Sequence, residues 1–143
     1  MAHVELSLTE AGPREIAALQ RWVHPVSAAA EASVLLDADG VVIAASAACA
    51  AFFAVEPADA LGRRLVGEVL RLVDFSAASD ELPEWESERI APVLALTSGA
   101  PARGLLRAVG PASTYMLDAV TTPLREDETV VGSLTFFATV SGQ

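Results

Sequence analysis

Apolar and polar positions change period several times along this chain of 143 residues. From His3 to Leu8 the alternation puts Val4, Leu6 and Leu8 on one side of a short extended stretch. Over residues 13–24 the period becomes helical: Ile16, Leu19 and Val23 fall at i, i+3 and i+7, with Trp22 at the edge of the stripe. Pro13 occupies a favourable first-turn position, and Pro25 is expected to break or kink the helix, with Val26 to Ala32 adding a turn or two. Two short β-rich runs follow, Ser33–Leu36 and Val41–Ala45, on either side of Asp37-Ala38-Asp39-Gly40. Ala47–Val55 reads as a helix, Glu56–Gly62 as a helical turn closed by Gly62, and Leu65–Val73 as a further helix by the spacing of Leu65, Val69, Leu72 and Val73. The acidic segment Asp80–Glu88, with Pro83 and Trp85 inside it, reads as an exposed loop, and Glu88–Ser98 as a helix stopped by Gly99 and Pro101. After that come three strands, Arg103–Val109, Thr114–Leu124 and Thr129–Val140, separated by Gly110-Pro111 and Arg125-Glu126-Asp127-Glu128. Helices and strands are segregated, so the pattern predicts an α+β domain with an antiparallel sheet.

Asp37-x-Asp39-Gly40 has the opening of a cation-binding loop. A calcium loop starting at Asp37 would need oxygen ligands further on, yet its fifth, seventh and twelfth positions are Val41, Ile43 and Ala48. An Asp-Gly pair between apolar runs is the signature of a tight strand-joining turn, with the Asp37 carboxylate bonded to nearby turn amides. No Cys/His cluster has zinc spacing and no glycine-rich loop precedes a lysine, so neither a metal centre nor a phosphate cradle is expected.

Nine arginines and no lysine stand against 19 acidic residues, a formal charge of -10. Such a surface repels phosphates, which argues against nucleic acid and anionic membranes as partners. No apolar run approaches the ~20 residues of a membrane span, and no basic segment precedes an apolar one at the N-terminus, so a cytoplasmic location is expected. The lone Cys49 fits a reducing compartment and reads as a small buried hydrophobe. Arginine without lysine and abundant alanine point to a GC-rich bacterial genome.

The order of elements, with several residues, resembles the PAS domain family over roughly residues 31–141. The resemblance is carried by Asp37-x-Asp39-Gly40 with Val42, Ser46 and Ala48 after it, and by Ala60-Leu61-Gly62-Arg63. Thr122-Pro123-Leu124-Arg125 followed by Val131-Gly132-Ser133 completes it. The family usually has Asn where this chain has Ser46, and serine caps a helix equally well. The resemblance implies a PAS fold: a five-stranded antiparallel sheet whose short helices cover one face and enclose a small pocket. An N-terminal amphipathic helix would lie outside the core, often against a second protomer. It divides the chain into an extension over 1–32 and a PAS domain over 33–143.

What the family would do here depends on the pocket lining. Alternation groups Gly132, Leu134, Phe136 and Ala138 on one face and Ser133, Thr135, Phe137 and Thr139 on the other. With Leu134 and Phe136 placed inward, the expected ligand-binding residues are Leu36 (or Val34), Phe52, Phe53, Val69, Leu117, Leu134 and Phe136. These could hold a small apolar ligand or simply fill the core, and both readings stay open. The resemblance places Leu117 and Leu134 where the flavin-binding, light-sensing branch has polar amides, and the reactive cysteine of that branch is missing from 65–72. The histidines, His3 and His24, both precede the resemblance, so the axial ligand of haem-binding relatives is missing too. Neither flavin nor haem is therefore expected, and no cofactor is assigned.

Asp118, on an otherwise apolar strand, is expected at solvent or paired with an arginine such as Arg107, and no catalytic set can be assembled, so no enzyme is expected. The expected function is a PAS sensory or protein-interaction domain in cytoplasmic signalling, acting by rearrangement of a homodimer or a signalling partner. Dimer contacts are assigned to Ile16, Leu19, Trp22 and Val23 together with Phe137. A ligand-free structural dimerisation module is the alternative, and a haem or other cofactor carrier or small-molecule enzyme stands third. No output domain is read in these residues, so output is expected from another protein or from a region outside this sequence.

Overall fold

The computed structural model describes residues 16–76, 78, 80–110 and 113–140. The expected alternating stretch at His3–Leu8, the first residues of the expected N-terminal helix and Pro111 lie outside them. Six strands form one antiparallel sheet: β1 (Ala32–Asp37), β2 (Val42–Ala45), β3 (Leu72–Val73), β4 (Ala102–Val109), β5 (Thr114–Glu126) and β6 (Thr129–Thr139). Their spatial order is β2-β1-β6-β5-β4-β3, so the last strand of the chain lies beside the first. Helix α1 (Ala17–Ala28) packs on one face of this sheet. The helices α2 (Ala47–Phe52), α3 (Pro57–Ala60), α4 (Glu84–Ser87) and α5 (Ala91–Ser98) belong to the segment between β2 and β4. The expected α+β class and antiparallel sheet are present. The sixth strand, β3, is a two-residue edge piece paired with β4.

The turn between β1 and β2 forms as the residue types require. Asp37 Oδ1 accepts the amides of Asp39 (2.8 Å) and Val41 (3.0 Å), and Gly40 takes the positive φ of 81° that closes it. Ser46 holds two elements at once: its Oγ accepts the Cys49 amide at the start of α2 (3.2 Å) and the Ser33 amide of β1 (2.9 Å). Ser46→Ala is expected to cost about 1–2 kcal/mol, because it removes the cap and strands a buried amide. The neighbouring Ser33 Oγ is buried without a hydrogen-bond partner. Ser33→Ala should therefore be neutral or stabilising, and urea denaturation of the two variants checks both signs.

Two apolar layers sandwich the sheet. On the inner face Val34, Leu36, Leu106, Leu117, Ala119 and Phe137 pack with Cys49, Phe53, Leu65, Leu70 and Ala91 from the helical segment. On the outer face Leu35, Ile43, Ala44 and Leu134 pack with Leu19 and Val26 of α1, with Ile16, Trp22 and Val23 half-buried around them. Fully burying a leucine such as Leu19 contributes roughly 1.5–3 kcal/mol toward holding α1 on its own sheet.

Three sequence-based expectations need correction. Leu134 and Phe136 face outward, and Phe137 inward, opposite to the assigned faces of β6. The pairings fix this: Phe137 lies opposite Ala32 and Ala119, and Leu134 opposite Leu35. The alternation was right, but polar Ser133 and Thr135 take the inner positions because each finds a partner there. Ser133 Oγ donates to the Pro92 carbonyl (3.0 Å), and Thr135 Oγ1 shares a hydrogen bond with Thr121 Oγ1 (2.8 Å). Leu134, on the outer face, therefore does not stand where a flavin ring would lie in the core.

Leu65–Val73 is not a helix. Val66 and Gly67 leave helical geometry (Gly67 φ 97°), so Leu65–Val69 is a wide turn and Leu72–Val73 becomes β3. Pro25 lies within α1, which continues beyond it to Ala28, and the helix bond its missing N–H would have made is forgone. Finally, the acidic segment contains a one-turn helix, Glu84–Ser87, and the following helix starts at Ala91 rather than Glu88.

Candidate functional site

The β1–β2 turn, the wide turn at Leu65–Val69, α4 and α5 surround a cleft of about 480 Å³. Backbone bonds tie the first two walls together: Leu65 donates to the Gly40 carbonyl (2.9 Å), and Val41 bridges to Arg64. The turn closes on itself through Leu70 to Leu65 (2.7 Å) and Gly67 to Leu70 (3.0 Å). Ser133 anchors the α5 wall to β6 through Pro92. The segment entering α4 is braced by Asp74, whose Oδ1 accepts the Ser76 hydroxyl (2.6 Å) and the amides of Ser76 and Asp80. These bonds, that of the Ser76 hydroxyl foremost, hold the Asp74 carboxyl below its ordinary range. Arg107, expected beside Asp118, instead donates to the carbonyls of Asp74 and Ser76.

The cleft has an apolar floor and a charged rim. Val66 and Leu82 are half-buried and pack against the inner core, while Asp39, Glu81, Glu84 and Glu88 stand exposed around the opening with Arg64. None of the residues assigned to a ligand from the sequence lines this cleft. Leu36 and Leu117 are fully buried in the inner core, Phe53 is buried beside them, and Phe52 and Val69 pack half-buried against it. Leu134 is buried under α1, and Phe136 lies on the outer face. The cleft was missed because its walls come from three separated segments. The one signal for it in the sequence was the acidic run around Pro83, which read as a solvated loop.

The residues assigned to a dimer are also redistributed. Leu19 is wholly buried against its own sheet and Phe137 lies in the inner core, so neither can meet a second protomer in this conformation. The β4–β5 side of the outer face instead leaves Leu105, Val120 and Phe136 at 54%, 44% and 42% exposure, an apolar strip running across three adjacent strands. Beside it Arg103 Nη2 meets Asp118 Oδ2 at 2.7 Å, and this hydrogen bond keeps the Asp118 carboxyl below its ordinary range.

Cys49 is buried, and burial pushes its thiol up to about 12. It will therefore behave as a core side chain rather than a nucleophile. Because the folded thiol holds its proton above the pH at which an unfolded one loses it, stability should be unaffected below about pH 8.5 and fall between there and 12. The slope approaches 1.4 kcal/mol per pH unit. Alkaline unfolding of Cys49→Ala, which lacks this loss, checks the sign against the unaltered protein.

An antiparallel sheet covered on its inner face by short helices, with a cleft where those helices meet a turn, defines a single-sheet α+β domain. The sequence profile of the PAS fold matches residues 26–143, and the chain belongs to that family. Among solved structures, the PAS domain of a Colwellia psychrerythraea protein superposes with a TM-score of 0.61 at 14% identity, covering 87% of this chain and 97% of that one. The PAS domain of a LuxR-family transcriptional regulator from Burkholderia thailandensis, in complex with ethanol, gives 0.54 at 19% identity, covering 83% and 96%. The Vibrio cholerae VqmA dimer gives 0.59 at 15% identity, covering 78% of this chain and 46% of that one, so the chain spans about half the length of VqmA. No curated protein sequence matches. No helix among the described residues is long and apolar enough to cross a membrane.

Proposed function

We propose that this chain is a ligand-responsive PAS domain of cytoplasmic signalling, taking a small molecule in the cleft between the Leu65–Val69 turn and α4–α5. The observation that carries the reading is the cleft itself, about 480 Å³ with an apolar floor continuous with the core. Its four walls belong to segments that a ligand could draw together. A relative solved with ethanol and VqmA solved bound to DPO are in keeping with a small ligand. Signalling then runs through a homodimer formed on the outer strip of Leu105, Val120 and Phe136, apolar surface of the kind that marks protein contacts. Arg103 and Asp118 stand at its border.

The second reading, a dimerisation module without ligand, is favoured by the inner face, where Leu36, Leu65, Leu70 and Leu117 are fully buried. Native mass spectrometry and an absorption spectrum of the purified protein separate the two, because a retained small molecule is expected only for a sensor. Sedimentation velocity should find a dimer at high micromolar concentration, and Phe136→Glu should convert it to monomer. A protein that is monomeric under those conditions removes the dimer from either reading.

A further inference from the structure

The cleft carries chemical information about what it would hold. Four carboxylates, from Asp39, Glu81, Glu84 and Glu88, stand around its mouth, and none is ion-paired among the described residues. Arg64 is the one cation among the lining residues. This arrangement concentrates negative potential over an apolar floor. Ser87, only 5% exposed, also lines the cleft. Ser87 brings a hydroxyl to that wall, a place for a ligand's donor or acceptor to dock.

Taking the ligand reading above as its premise, we propose that the cleft selects a small amphipathic cation, an ammonium group on a short apolar body. The apolar body covers Val66, Leu82 and Val93, and the ammonium meets the Glu84 and Glu88 carboxylates with one N–H left for the Ser87 hydroxyl to accept. Anions are rejected by the rim. Neutral analogues keep the floor contacts and lose the charge attraction. Since the carboxylates are exposed, the attraction is screened, and selectivity should weaken as salt rises past about 0.15 M.

The probes are n-hexylammonium, n-hexanol and n-hexanoate, titrated into the full chain at 20 mM and 300 mM salt with chemical-shift mapping and calorimetry. Hexylammonium is expected to bind at least tenfold more tightly than hexanol at low salt, to shift residues of α4 and the Leu65–Val69 turn, and to lose most of that margin at high salt. Hexanoate should bind least. The double variant Glu84→Gln, Glu88→Gln, which changes only exposed groups, should bring hexylammonium down to the hexanol level and leave hexanol unchanged. Ser87→Ala should weaken the amine alone. Equal binding of hexanol and hexylammonium in the cleft would overturn the cation preference and leave the ligand site standing. If none of the three binds and native mass spectrometry finds no retained molecule, the ligand site falls as well.

Discussion

Leu117→Ala is expected to lower the free energy of unfolding by about 2–5 kcal/mol, a large share of the roughly 5–15 kcal/mol available to a domain of this size. Leu117 is fully buried in the inner core, opposite Leu106 on β4, with Ala119 next on the same face of β5. The substitution removes three carbons from that packed layer. Chemical denaturation should show a lower midpoint with an unchanged m-value, since the same surface is exposed on unfolding. A loss below about 1 kcal/mol would mean that the inner face is loosely filled around this residue. It would then move the ligand site from the α4–α5 cleft into the core.

Gly132→Ala should be nearly as damaging, about 3 kcal/mol, for the opposite reason. Here the added methyl has nowhere to go. A Cβ at Gly132 would run into the Leu36 carbonyl oxygen of β1 and lie 2.6 Å from Leu19 Cδ2 of α1. The leucine side chain can turn aside, but the carbonyl belongs to a paired strand, so β1 or β6 must shift. The strain falls where α1 meets the sheet. Trp22, half-buried in that layer, should move to a wetter environment and its emission to longer wavelength, while exposed Trp85 reports no change. A stable variant with unaltered Trp22 emission would show that α1 does not rest as closely on β6 as this structure has it.

Much of the fold was written in local chemistry. Asp39-Gly40 between two β-rich runs, Ser46 before an alanine-rich stretch and Gly99 after a helical one each act on backbone close to them in the chain, and each does in the structure what its residue type requires. The faces of β6 were not readable in the same way. Alternation separates Leu134 and Phe136 from Ser133 and Phe137, but both sets border apolar layers, because α1 covers the outer face. The choice is made by Pro92 and Thr121, distant partners that accept the inward polar groups. Leu65–Val73 failed for a related reason. Its apolar spacing suits a helix, yet the backbone is bent by bonds to Gly40 and within the turn, and the residues are buried as a turn and a strand. The cleft could not be foreseen, since no single segment contains it.

Ser133 and Leu134 are consecutive residues on opposite sides of the sheet. One holds the Pro92 carbonyl of α5, at the wall of the cleft, and the next is packed beneath α1. Only a single peptide bond therefore separates the inner anchor from the outer one, and Phe136 of the exposed strip follows two positions later on the same face as Leu134. Strand β6 is thus a crosspiece: within four residues it carries the hold on the cleft wall, the seat of α1 and the edge of the apolar strip.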